Sequence, residues 1–117
     1  MNIEELREYC IGKEYTEEGL PFGPTVLVFK VMGKMFALVG LDNDPLSINL
    51  KCDPENAIAL REEYPCVLPG YHMNKATWNT VLLDGSVSHK LIKQWIDESY
   101  NLALAGVPKS VKAKFAK

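Results

Sequence analysis

Residues 25–51 hold three strand-like runs joined by connections too short to contain a helix, and this constrains the fold more than any other feature. Val26 to Met32 is rich in β-branched and aromatic residues. Met35-Phe36-Ala37-Leu38-Val39 follows after Gly33-Lys34, and Leu46 to Lys51 follows after Asp42-Asn43-Asp44-Pro45. Parallel neighbours need a crossover of roughly a dozen residues or more, so turns this short force antiparallel pairing. The runs predict strands at 25–32, 35–41 and 46–51. Glycine first in a two-residue loop predicts a type II′ turn at Gly33-Lys34. In the third run Leu46, Ile48 and Leu50 share one face, with Ser47, Asn49 and Lys51 on the other. That alternation marks a half-buried strand.

Helices flank this meander. Asn2 and Glu5 have capping-box spacing, Ile3, Leu6, Tyr9 and Cys10 recur at helical period, and Gly12 suits the helix end. Residues 13–25 connect, with Leu20-Pro21-Phe22-Gly23-Pro24 fixing the path and Phe22 expected to tuck into the core. Asp53-Pro54-Glu55 starts a second helix that Pro65 stops after Tyr64. Tyr71–Met73 is expected as a short strand, Asn74-Lys75 as a turn, and Thr77–Leu83 as a longer returning strand. Ser86 or Ser88 caps a final long helix over 88–105, in which Leu91, Ile92, Trp95, Ile96 and Tyr100 make a core-facing stripe. Pro108–Lys117 is a basic tail with room for one or two helical turns. The predicted class is α+β: a two-layer fold, an antiparallel sheet with helices packed on one face, in the order α-β-β-β-α-β-β-α.

Size and composition limit function. A chain of 117 residues, 47% hydrophobic, suits one domain over 1–117 with a core that needs neither disulfide nor metal. No apolar run reaches the roughly 18 residues of a membrane helix, and the acidic start Met1-Asn2-Ile3-Glu4-Glu5 is unlike a secretion signal; the expectation is a cytoplasmic protein. Cys10, Cys52 and Cys66 are odd in number and widely spaced, which predicts reduced, partly buried thiols and no zinc site. Phosphate-loop, dinucleotide, nucleophile-elbow, zinc-protease and calcium-loop motifs are all absent, so no catalytic residues, metal or cofactor are assigned and a non-enzymatic role is expected. Net charge is −2, but its distribution is uneven. Residues 1–63 carry six basic and twelve acidic side chains, and residues 64–117 carry seven and three.

The segment Gly70 to Thr80 is the candidate binding region. Its outward positions hold His72, Asn74, Lys75, Trp78, Asn79 and Thr80, which together offer hydrogen bonds in both directions, a charge and a stacking face. With Lys51, they could recognise a nucleotide, a phosphate or a peptide. A structural reading stands beside this one: His72 and Asn79 satisfy buried backbone groups around a kinked hairpin, and Trp78 packs in the core.

Several blocks then match a known family in order and spacing. They are Asn49-Leu50-Lys51-Cys52-Asp53-Pro54-Glu55, Tyr64-Pro65, Pro69-Gly70-Tyr71-His72-Met73-Asn74-Lys75 and Trp78-Asn79-Thr80-Val81. Pro21-Phe22-Gly23-Pro24, Gly33-Lys34-Met35-Phe36-Ala37, Ile96-Asp97-Glu98-Ser99-Tyr100 and Pro108-Lys109 also fit. From about residue 3 to residue 112 the chain resembles the MmcQ/YjbR family. The resemblance implies a small cytoplasmic bacterial protein with a fold similar to the CyaY-like or secretion-chaperone-like folds. It also implies DNA binding, with Lys51, Lys75 and the C-terminal lysines on phosphates and His72, Asn74 and Trp78 nearer the bases. The alternative that the fold suggests is a module that binds a protein or peptide partner.

Overall fold

Ten elements form in the computed structural model, which describes residues 1–71 and 73–115. Helix α1 (Ile3–Ile11) begins with the expected capping box: the Glu5 amide donates to the Asn2 side chain, and the Glu5 carboxylate accepts from the Asn2 amide. Strands β1 (Thr16–Gly19), β2 (Val26–Val31), β3 (Lys34–Gly40) and β4 (Ser47–Lys51) follow, then α2 (Pro54–Glu63), β5 (Val67–Pro69) and β6 (Trp78–Leu82). Helices α3 (His89–Ala105) and α4 (Lys109–Phe115) complete the chain. The six strands form one antiparallel sheet in the order β1-β2-β3-β4-β6-β5.

Three local expectations need correction. Strand β1, Thr16-Glu17-Glu18-Gly19, has no apolar alternation and gives no strand signal. It forms because its backbone pairs with β2, Thr16 opposite Val31, and Arg7 of α1 bridges to Glu18 at 2.9 Å. The β2–β3 turn is Met32-Gly33 and not Gly33-Lys34. Met32 (φ +48°) and Gly33 (φ +85°) both lie at positive φ, as a type I′ turn demands, and Val31 pairs with Lys34. The third correction concerns the partner of β6. It is Val67–Pro69; of the expected strand Tyr71–Met73, Tyr71 stands in a turn and Met73 in a bend, and His72 lies outside the described residues. Gly70 makes that junction possible. A Cβ there would lie 2.8 Å from the Cβ and the carbonyl oxygen of Trp78, which any other residue would have to displace.

Pleating sorts the side chains onto two faces. Phe29, Ala37, Val39, Ile48, Leu50, Val67 and Val81 point to the face that the helices cover. They pack against Leu6 and Cys10 of α1 and Ile92, Trp95, Ile96 and Ala103 of α3. Ser99 of α3 is buried and closes a gap between strands: its hydroxyl donates to the Phe36 carbonyl at 2.6 Å and accepts from the Lys51 amide at 2.7 Å. The opposite face carries a small second cluster, Val28, Leu38 and Trp78, with Met35 and Met73 against it. No helix among the described residues is long and apolar enough to cross a membrane.

Candidate binding groove on the open sheet face

The face that the helices leave uncovered carries a groove of about 660 Å³. Strand register builds its floor. Asn49 of β4 pairs with Thr80 of β6, which pairs with Leu68 of β5, so three outward side chains lie in one row. The Thr80 hydroxyl accepts from the Tyr71 amide at 3.0 Å and donates to Asn49 Oδ1. With Asn49 Oδ1 held there, its Nδ2 group is left to donate into the groove. Ser47 lies in the next row, opposite Leu82, and accepts from Asn43 Nδ2 at 2.7 Å. The floor is therefore polar and uncharged.

The walls are apolar. Phe22 stands on one side, 62% exposed, and Tyr71 on the other, 69% exposed, with Leu68 and Met73 beside it. Phe22 was expected in the core. The turns at Pro21 and Pro24 instead hold its segment above the sheet edge, where the ring lines the groove. Asp42 is the one charged residue in the lining among the described residues.

The residues singled out from sequence do not assemble into one surface. Lys51 and Trp78 are register partners at the far end of the open face. Trp78 is only 7% exposed and packs on Val28 and Leu38, so it offers no stacking face to a ligand. Asn79 points beneath the helices, 2% exposed, and donates to the Ala57 carbonyl of α2 at 3.2 Å. Its burial removes it from the surface, and its backbone partner lies on α2, not on the hairpin. Asn74 accepts from the Ala76 amide at 2.9 Å and shapes the 70–77 loop. Lys75 is exposed, and its ammonium donates to the Gly70 carbonyl at 3.3 Å. His72 lies outside the described residues.

The groove residues that sequence reasoning missed left one signal. Val26-Leu27-Val28-Phe29 and Phe36-Ala37-Leu38-Val39 are continuous apolar runs, not alternating ones. A continuous run has apolar side chains on both faces, which means that both faces meet something other than water.

The cysteines are buried and unpaired. Burial pushes the Cys10 thiol up to about 12, so it stays protonated and inert at neutral pH. Burial also raises Cys52, with the Asp53 carboxylate adding to it. Among the described residues no group of three or more His, Cys, Asp or Glu side chains could hold a metal ion.

Comparison with known proteins agrees with this architecture. The YjbR family model matches residues 12–102. The chain is 38% identical over 109 residues to the protein YjbR of Escherichia coli strain K12, covering 92% of each. It is 36% identical over 106 residues to YbdF of Escherichia coli O157:H7, covering 91% of this chain and 87% of that one. The crystal structure of a Deinococcus radiodurans protein superposes with a TM-score of 0.88 at 38% identity, over 97% of this chain and 86% of that one. A Pseudomonas syringae protein gives a TM-score of 0.76 at 33% identity, over 88% and 99%. The sequence match across most of its length and the shared fold together establish that this chain belongs to the YjbR family.

Proposed function

We propose that the chain is a cytoplasmic, non-catalytic binding module that takes an extended apolar segment of a protein partner in the open-face groove. One observation carries this reading: an uncovered sheet face holds a groove with apolar walls, exposed Phe22 and Tyr71, and an uncharged polar floor of Ser47, Asn49 and Thr80. Apolar walls with a few placed polar groups are the usual make-up of a binding site. A volume of about 660 Å³ accommodates several side chains of an extended peptide. Among the described residues of the lining, Asp42 has no second charged group beside it for acid–base work. Three unpaired thiols suit a reducing compartment.

Strand addition at the sheet edge is a poorer route. In β5 the outward backbone positions are Val67 and Pro69, because the Gly70 amide and the Cys66 carbonyl already bond to β6. Pro69 has no N–H, and the Val67 amide donates to the Tyr64 carbonyl. This edge has no amide left to offer a partner strand.

DNA binding, the role the family resemblance implies, draws less support from the charges. Phosphate contacts need Lys or Arg, and the described groove lining has neither. Lys75 sits beside β5, whereas α4, with Lys109, Lys112 and Lys114, meets Tyr15 next to β1 through Phe115. Those are opposite edges of a six-stranded sheet, roughly 24 Å apart at about 4.8 Å per strand.

Fluorescence polarisation separates the readings. Labelled peptides with a Leu- and Phe-rich centre and labelled single- and double-stranded DNA are titrated at low salt. The proposal expects micromolar peptide binding that Phe22→Ala/Tyr71→Ala abolishes. DNA binding without peptide binding would overturn it.

A further inference from the structure

The loops at one end of this sheet carry carboxylates and no lysine or arginine, and the groove reaches that end. Gly40 pairs with Val26, Leu82 pairs with Ser47, and the Leu41 and Leu83 amides donate to the Thr25 and Leu46 carbonyls. The connections 20–25, 40–47 and 83–88 therefore gather at one end of the sheet. Together they carry exposed Asp42, Asp44 and Asp84 and no Lys or Arg. The opposite end, where Val31 pairs with Thr16 and with Lys34, and Lys51 with Trp78, carries Lys30, Lys34, Lys51 and Lys75 beside Glu14 and Asp53. Phe22, Thr25, Asp42 and Asn43 place one end of the groove among these acidic loops.

We infer that the partner segment is cationic as well as apolar: an aliphatic or aromatic anchor seated between Phe22 and Tyr71, followed by Lys or Arg at the Asp42–Asp44 end. This rests on the peptide reading above and adds the charge of the ligand. Two exposed carboxylates that form no salt bridge among the described residues repel an acidic segment and attract a basic one. At exposed sites such attraction sets partner choice and encounter rate more than it adds affinity. The Asn49 amide supplies a donor for a backbone carbonyl of the segment, which fixes its depth and leaves the flanking side chains to meet the rim. Salt screens exposed charges, so the attraction from Asp42 and Asp44 fades as salt rises.

The test uses three labelled peptides with one apolar centre and Lys, Ser or Glu flanks, titrated into the full chain at low and high salt. The Lys-flanked peptide is expected to bind about three- to tenfold tighter than the Ser-flanked one, and the Glu-flanked peptide weakest. High salt and Asp42→Asn/Asp44→Asn should each collapse the order of the three peptides. Asp84 stays intact because its carboxylate accepts from the Ser86 amide and hydroxyl and shapes that turn. Equal binding by the Lys and Ser peptides would overturn the charge inference and leave the peptide reading standing. No binding by any of the three would overturn both.

Discussion

On the helix-covered face, Phe36 meets Tyr100 edge-on at 5.3 Å, Tyr64 meets Trp95 edge-on at 5.1 Å, and Ser99 occupies both of its hydrogen-bonding roles. On the other face of the same strands, Phe22 and Tyr71 stand in solvent around a row of uncharged polar groups. Alternating residues of one strand serve both: in β4, Ile48 and Leu50 build the core while Ser47 and Asn49 floor the groove. The covered face should therefore govern stability and the open face recognition. Mutations sharpen that division when they move one property without the other.

The largest loss of stability belongs to Trp95→Ala. The indole is buried against Tyr64, and deleting a core aromatic costs about 3–5 kcal/mol. Urea denaturation measures it, and a cost below about 1 kcal/mol would break the assignment of Trp95 to the core. Ser99→Ala comes next. It strips partners from the Phe36 carbonyl and the Lys51 amide, and an unsatisfied buried group costs about 1–3 kcal/mol.

A smaller effect comes from the α1–α3 contact. Lys13 bonds to the Asp97 carboxylate, the Tyr9 hydroxyl donates to it at 2.6 Å, and the Lys13 ammonium lies 5.1 Å from the Tyr9 and Tyr100 ring centres. The bond to Asp97 pushes the Tyr9 hydroxyl up to about 12, with burial adding to it. Burial pushes Asp97 up, but its bonds from Lys13 and Tyr9 outweigh this and hold it below the usual carboxylate range. A carboxyl whose pKa is lower folded than unfolded stabilises the fold above the unfolded value, about 4, and loses that contribution as pH falls through the folded one. The Asp97 side chain is 43% exposed, so solvent screening limits the Asp97→Asn cost to under about 1 kcal/mol. Thermal melts should show wild type above Asp97→Asn at pH 7 and the gap narrowing as pH falls below the usual carboxylate range. A gap that widens in acid would contradict the contact's role.

Least stability is lost on the open face. Phe22→Ala should change unfolding free energy by no more than about 0.5 kcal/mol, the usual range for exposed positions. A cost above about 2 kcal/mol would mean that the wall residues hold the fold together, and the division between faces would fail.

Sequence reasoning read the covered face well and the open face poorly, and the causes are physical. Caps and periodicity are local, so Asn2, Asp53 and Ser88 announced their helices, and Trp95 announced its burial. Strand β1 was hidden because an edge strand held by backbone pairing and the Arg7–Glu18 bridge needs no apolar side chains. The Met32-Gly33 turn was hidden because nothing in a methionine signals positive φ. Trp78 and Asn79 looked like ligands because polar and aromatic residues in a strand read alike on either face. Only the register with Lys51 and Leu50 shows that one is covered by Val28 and Leu38 and the other by α2. The groove itself joins Phe22, Asn49 and Tyr71 from three separated segments, a proximity that pairing creates and no local motif encodes.

The central claim is that recognition occurs on the open face. The direct measurement is a ¹⁵N–¹H NMR titration of the chain with the Lys-flanked apolar peptide. Shift changes are expected at the amides of Leu38, Asn49, Leu68, Tyr71 and Thr80, with α1 and α3 unmoved. Changes confined to the helices, or to α4 and its lysines, would contradict that claim.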